Sequence, residues 1–310
     1  MRPASLCQRL SLLVVAVLVA ACNRTGDAVA KPTVALVVKT LNNQFFIDME
    51  AGAQAAADSL GLELVVQAPE REVDVERQMQ IVENLIQRQV QVILLVPNGS
   101  KEIVPAVVKA NAAKIPVVAV DTRVDAAALA AAGATVATFI GSDNEDGGRM
   151  AGAFLVEKLG SSASVAVLEG VPGHETADAR LRGFRSALAT STGMQIVASQ
   201  PANMERDLAF NVTQNILQAH PGITALFACN DVMALGALEA IAAAGKTAQV
   251  RVVGFDAQDD ARKAIAEQRM AATIAQNPRE MGRMAVLTAA RLIKGETVPA
   301  EQPVPISLIK

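Results

Sequence analysis

TVALVVKTLNNQFF, residues 33–46, decides the fold. Its first part, Thr33–Val38, is almost wholly apolar and rich in β-branched side chains, the pattern of a strand covered on both faces. Polar residues follow from Lys39 to Gln44. A helix-like stretch then runs over Ile47–Leu60 and stops at Gly61. A buried strand leading through a polar turn into a helix opens a βαβ unit, and the chain repeats it. Strand patterns at Leu62–Gln67, Val90–Val96, Pro116–Val120 and Val136–Ile140 are interleaved with helical ones at Val75–Gln89 and Lys101–Ala113. That rhythm predicts a parallel, doubly wound sheet.

Past Gly141 the rhythm starts again. Helical patterns fall at Gly147–Leu159, Ala177–Thr190, Leu208–Gln218, Val232–Ala244 and Asp259–Glu267. Strand patterns fall at Ser164–Leu168, Gln195–Gln200, Ile223–Ala228 and Val250–Phe255. One small sheet cannot hold both series. The expected fold class is therefore α/β, with two similar doubly wound parallel-sheet lobes. No Gly/Ser-rich or Pro-rich linker marks the boundary, so short crossings join the lobes, as suits a hinge. Residues 33–141 with 277–303 are assigned to the N-terminal lobe, 142–276 to the C-terminal lobe and 304–310 to a C-terminal tail.

Composition narrows the function classes. The 310 residues are 51% hydrophobic and 19% charged with a net charge of -3, which is globular. No Lys/Arg run exceeds two, so nucleic acid is not an expected partner. With eight Phe and neither Trp nor Tyr, any stacking on a ligand falls to Phe or His. At the N-terminus, Arg2 and Arg9 accompany an apolar run, Leu10–Ala21, of signal-peptide length and short for a membrane span. Val19-Ala20-Ala21-Cys22 resembles a bacterial lipobox, which implies cleavage before Cys22 and lipid on it. The alternative is an ordinary signal peptide with an incidental cysteine. Residues 1–22 are read as a lipoprotein signal and 23–32 as a tether, which makes the protein exported and lipid-anchored on the periplasmic side of a bacterial membrane. Of three Cys, only Cys229 remains in the body, so no intramolecular disulfide is expected.

Ligands of open α/β sheets bind beyond the carboxyl ends of the strands. Those positions carry Lys39, Asn43, Phe45 and Phe46 after the first strand, and Pro97 and Asn98 after the third. Asp121, Thr122 and Arg123 follow the fourth. In the second series they carry His174, Glu175 and Asp178, then Asn230 and Asp231, then Asp256 and Gln276. Carboxylates accept from hydroxyls, amides and cations donate to them, and Phe packs against C–H faces, so the set suits a sugar or polyol. Any single member reads equally as a helix cap or turn residue; the series as a whole does not.

VALVVKTLNNQFF (34–46), GSDNEDGG (141–148), ASQPANMERD (198–207), FACNDVMALGALEA (227–240), VVGFDAQDD (252–260) and AATIAQNP (271–278) together resemble the ribose-type periplasmic binding proteins, the type I fold of sugar-importer receptors. The resemblance runs from about Thr33 to about Ile309. It implies two lobes with a multi-crossing hinge and a pocket between them. By motif it places Asn43, Phe45, Phe46, Asp121, Asn230, Phe255, Asp256 and Gln276 on the ligand. The sequence departs from a ribose receptor at Lys39 (Ser there), at Thr122, which pushes the Arg to Arg123, at Asp178 (Arg there, with Arg180 on a second Arg) and at Met204 (Phe there). Lys39 either balances Asp178 or binds ligand itself. A buried polar group left unpaired costs about 1–3 kcal/mol, so ribose is not expected to be the best ligand.

GSDNEDGG lacks the Gly-Lys-Ser/Thr ending of a phosphate loop, and a helix start after a glycine turn explains it better. His174-Glu175 is not a metal motif; it either lines the pocket or lies in a solvated loop. No metal, cofactor or catalytic activity is expected. The implied role is capture of a monosaccharide or polyol by a monomer and delivery to the permease subunits of an ATP-driven importer. The alternative is an exported sensor read by a chemoreceptor or sensor kinase.

Overall fold

The computed structural model describes residues 31–160 and 162–310. The signal segment, Cys22 and the tether up to residue 30 lie outside the described residues. The first half runs β1 (Thr33–Val37), α1 (Gln44–Leu60), β2 (Glu63–Gln67), α2 (Val75–Gln87), β3 (Val92–Leu95), α3 (Val104–Ala112), β4 (Val117–Val120), α4 (Ala126–Ala132) and β5 (Thr138–Gly141). The second runs α5 (Asn144–Leu159), β6 (Ala163–Glu169), α6 (Glu175–Leu188), β7 (Met194–Pro201), α7 (Arg206–Ala219), β8 (Ala225–Ala228), α8 (Asp231–Ala243), β9 (Arg251–Asp256), α9 (Asp259–Ala266) and β10 (Ala272–Ala275). The chain ends with α10 (Pro278–Ile293), β11 (Glu301–Pro303) and β12 (Ser307–Ile309).

These strands form two six-stranded sheets with the same order. One is β11-β5-β4-β3-β1-β2 and the other β12-β10-β9-β8-β6-β7. Every pairing is parallel except β12 on β10. The two-lobed, doubly wound expectation therefore holds. The central strands β3, β4, β8 and β10 are buried at every residue, which is why their sequences are continuous apolar runs rather than alternating ones. Helix starts are set by side-chain caps: Asn43, Asp125, Asp143, Asn230 and Asn277 each accept a backbone N–H of the first turn.

The chain passes between the sheets three times, after β5, after β10 and between β11 and β12. The last passage corrects one expectation. Residues 304–310 are not a free tail, because Ser307–Ile309 pairs antiparallel with Thr273–Ala275 and closes the edge of the second sheet. Three residues are too few to show an alternation. Two helices also escaped the sequence pattern. α4 reads AAALAAA, with one large apolar residue and hence no period. α10 packs back on α1 in the first lobe.

Glycines set how closely paired helices approach. A Cβ at Gly148 of α5 would lie 2.0 Å from the Arg180 carbonyl oxygen, and one at Gly183 of α6 would lie 1.8 Å from that of Glu145. In the other lobe, a Cβ at Gly52 of α1 would lie 1.9 Å from the Arg279 oxygen, and one at Gly282 of α10 would lie 2.0 Å from the Met49 oxygen. Gly148 of GSDNEDGG thus serves helix packing, while Gly141 and Gly147 leave room for the rings of Phe139 and Phe255. Among the described residues no helix is long and apolar enough to cross a membrane.

Candidate functional site

The carboxyl ends of both sheets face one cavity. It is lined by Lys39, Asn43, Phe45, Phe46, Glu72 and Asp121 from the first lobe. Thr176, Arg180, Met204, Asn230 and Asp256 come from the second, and Gln276 from the crossing after β10.

The first-lobe wall is built on loops held by their own backbone. Thr40 Oγ1 and Asn42 Nδ2 both donate to the Glu70 carbonyl, at 2.8 and 3.0 Å. Asn98, one of the strand-end polar residues, is spent the same way: its Nδ2 donates to the carbonyls of Lys39 and Arg71. Asn43 caps α1 through Oδ1, accepting from Phe45 N at 3.0 Å, and its Nδ2 donates to Glu72 at 3.4 Å. Phe45 and Phe46 meet edge to face at 5.2 Å. Asp121 sits at φ 60°, in the left-handed region that a non-glycine residue enters at a cost. Thr122 Oγ1 donates to its Oδ2, while Oδ1 is buried without a partner.

The second-lobe wall is a connected network. Arg180 donates from Nε to Asn144 Oδ1 at 2.8 Å and from Nη1 to the Cys229 carbonyl at 2.6 Å. Its guanidinium lies 3.8 Å from the Phe255 ring centroid, and Nη2 lies 3.8 Å from Asp256 Oδ1. Asp256, at φ 114°, accepts from Gln276 Nε2 at 2.8 Å. Burial pushes its carboxyl up to about 7 against the pull of Arg180. Gln276 Oε1 is buried and unpartnered. Asn230 caps α8 through Oδ1. Asn203 and Met204 occupy consecutive left-handed positions, and Gly170 makes the room that the Met204 methyl fills.

Ten of the thirteen residues named from the sequence come together here, and three do not. Arg123 turns outward, donates to both Glu301 oxygens at 2.6 and 2.8 Å and lies over Phe139. Asp178 lines an outer groove of about 740 Å³ with Arg123, Glu175 and Arg182. The reason is helical: Thr176 and Arg180 are one turn apart and share a face of α6, while Asp178 lies between them on the opposite side. Phe255 points to the other face of its strand from Asp256 and is buried beneath Arg180. Lys39 does not balance Asp178; the groups its charge acts on are Glu72 and His174.

The thirteen residues named from the sequence leave out two that line the cavity. Thr176 was legible from its spacing to Arg180. Glu72 was not, since nothing in PEREVD says which residue of a loop turns inward. Burial raises its carboxyl and Lys39 opposes the rise. His174 is buried, not solvated. Its Nδ1 has no partner, and desolvation together with the Lys39 charge lowers its pKa to about 3.

The lobes are closed on one another. Gln258 Nε2 donates to Asn43 Oδ1 at 2.8 Å, Arg71 pairs with Glu205 at 2.6 Å, and Glu175 N donates to Ser100 Oγ at 3.3 Å. The cavity between them is about 20 Å³, room for about one water. Anything larger enters only when the lobes part. What the cavity offers is two buried acceptors without donors, Asp121 Oδ1 and Gln276 Oε1.

Residues 34–297 match the family model described as periplasmic binding protein domain. The chain belongs to the ribose-type periplasmic binding proteins. It is 41% identical to the ribose import binding protein of Salmonella typhimurium over 302 residues, 97% of this chain and 98% of that one. It is 37% identical to the D-allose-binding periplasmic protein of Escherichia coli over 83% of each chain. Its fold matches a solute-binding protein of Actinobacillus succinogenes solved with bound D-allose, with a TM-score of 0.86 and 38% identity over 90% of this chain and 98% of the other. These relatives are binding proteins of import systems, and this chain is a sugar-type binding protein rather than an enzyme.

Proposed function

We propose that this protein captures one neutral sugar or polyol by hinge closure and hands it to the permease of an ATP-driven importer. The observation that carries the reading is the pair of buried, unpartnered acceptors, Asp121 Oδ1 and Gln276 Oε1, facing one closed cavity from different parts of the chain. A buried acceptor without a donor costs about 1–3 kcal/mol, and sugar hydroxyls supply such donors. Lys39, Asn43, Glu72, Asp121, Thr176, Arg180, Asn230, Asp256 and Gln276 form the polar contacts, and Phe45, Phe46 and Met204 the apolar ones. Arg180 stays in register because Phe255 stacks beneath it.

Relatives named for ribose and for D-allose support the sugar class. Within that class, Lys39 and Glu72 add a charged pair to the strand-end set, and Thr122 places no cation after Asp121. Ribose is therefore not the preferred ligand, and a hexose with one more hydroxymethyl arm makes better use of the extra pair. A thermal-shift panel of pentoses, hexoses, polyols, inositols and sugar acids tests this. A ligand at 100 times its Kd stabilises by about 2.7 kcal/mol. A lead for ribose overturns the specificity, and no shift with any sugar or polyol overturns the function.

The closed form is what the permease recognises, and the protein acts as a monomer because both halves of the site belong to one chain. A sensor would read the same closed form. Uptake of labelled sugar that survives loss of this protein would favour that alternative. Lipid on Cys22 holds the protein at the membrane; Cys22→Ala abolishes lipid labelling, and persistent labelling would refute the anchor.

A further inference from the structure

Asp231 is fully buried, lines no part of the cavity and is pushed well above the carboxylate range by burial and by Asp256. Its surroundings give it a use. Oδ1 accepts from Thr273 Oγ1 at 2.7 Å and Oδ2 accepts from the backbone N–H of Gln258 at 2.9 Å. Thr273 Oγ1 in turn accepts from Ala257 N at 3.3 Å. These bonds hold a turn whose two preceding residues, Asp256 and Ala257, both have positive φ, 114° and 56°. The turn ends on Gln258, which occupies the N-cap position of α9 but makes no side-chain cap bond. Its side chain crosses to the other lobe instead, where Nε2 donates to Asn43 Oδ1 at 2.8 Å.

We propose that Gln258 is a positioning residue, a latch that the Asp231–Thr273 network aims across the cleft and that fastens Asn43 only when the lobes close. The proposal rests on hinge closure around a ligand held at the site described above. Asn43 can receive the latch because one lone pair of Oδ1 takes the Phe45 N–H of the helix cap and the other is open. The cap fixes the amide before closure, so Nδ2 remains turned toward Glu72. Closure adds the bond without reorienting the amide. The latch therefore acts on how long the closed state lasts and not on how fast ligand enters.

Gln258→Ala tests this in the full-length protein with D-allose and D-ribose as probes, by stopped-flow and by small-angle scattering without sugar. The loss of one neutral hydrogen bond predicts about threefold to tenfold faster dissociation. Association is expected within a factor of about two of the parent, with an unchanged ligand-free Tm and a more open ligand-free envelope. Gln258→Glu gives a signature that packing alone would not. The introduced carboxylate faces Asn43 Oδ1 and speeds dissociation near pH 7; near pH 4 it is protonated, donates, and returns the rate toward that of the parent at the same pH. Dissociation and scattering both equal to the parent's would overturn the latch. A parent that binds no sugar at all would overturn the proposed function, while the scattering comparison would still judge the latch.

Discussion

The two lobes share one strand order and one kind of glycine-mediated helix crossing, yet they present their strand ends in different ways. In the first lobe the site side chains are joined only in pairs, Asn43 with Glu72, Thr122 with Asp121 and Phe45 with Phe46. The Lys39 side chain makes no hydrogen bond among the described residues, and Asp121 keeps one oxygen unpartnered. In the second lobe Asn144, Arg180, Phe255, Asp256 and Gln276 are joined in one buried network. One wall is built before any ligand arrives; the other is finished by it. Damage to the second lobe should therefore cost folding as well as binding, and damage to the first should cost binding alone.

The sharpest test sets Arg180→Ala against Asp121→Asn. Removing Arg180 leaves Asn144 Oδ1 and the Cys229 carbonyl without their donor and Asp256 without its counter-charge. Breaking a buried charge pair from one side costs about 3–5 kcal/mol, so a large fall in Tm and loss of sugar binding are expected. Asp121→Asn keeps a residue type that tolerates the left-handed backbone at that position. It should leave the ligand-free Tm in place and weaken sugar binding about tenfold to a hundredfold, the range for a hydrogen bond to a charged group. Calorimetry on both variants decides it. Equal losses of stability would erase the contrast between the lobes.

The glycine crossings offer a second comparison. Gly148→Ala and Gly52→Ala each drive a Cβ onto a carbonyl oxygen of the partner helix, and each should cost about 1–3 kcal/mol or more by overpacking. The oxygen struck by Gly148→Ala belongs to Arg180, whereas that struck by Gly52→Ala belongs to Arg279, away from the cavity. Only Gly148→Ala should weaken binding beyond its effect on folding, measured as Kd on protein well below its Tm.

How much of this was legible in the sequence follows the same division. Strands that are buried end to end spell themselves out as apolar runs, so both sheets and their repeat could be read from residue types. The strand-end residues could be read because topology puts them at the cleft. What could not be read was direction. Asp178, Arg123 and Phe255 are each within two or three residues of a lining side chain, but helix phase, strand alternation and the pull of Glu301 turn them away. Glu72 was invisible for the converse reason, a loop residue turned inward by contacts that no periodicity records. β12 was too short to carry a pattern.

Acid should act on two buried groups of the second lobe with opposite signs. His174 has a pKa of about 3 in the closed protein against about 6.5 unperturbed. The unfolded chain binds its proton first, so this contribution is complete above pH ~6.5 and is lost as pH falls toward 3. Asp256 stands at about 7 against about 3.9 unperturbed. Its contribution is complete below pH ~4 and is lost as pH rises through 7. Between about pH 4 and 6.5 the His174 slope opposes that of Asp256, to which the raised carboxyls of Asp231 and Glu72 add, so His174 should soften the fall of Tm with rising pH. His174→Gln removes the opposing slope, so Tm should then fall more steeply with rising pH across that window; a profile parallel to the parent's would show that His174 does not oppose the buried carboxyls.

The smallest effect belongs to the rim. Arg71 and Glu205 pair across the cleft from loops of opposite lobes, at 2.6 Å and with side chains 56% and 37% exposed. Exposed pairs contribute about 0.2–1 kcal/mol, so Arg71→Ala should weaken binding by no more than about fivefold. The effect should appear as faster dissociation, because the pair forms only on closure, and should shrink toward zero in 1 M salt, where screening length falls to about 3 Å. A salt-independent loss would mean that the Arg71 side chain acts by shaping the first-lobe loop, whose carbonyl at that position accepts from Asn98, rather than by its charge across the cleft.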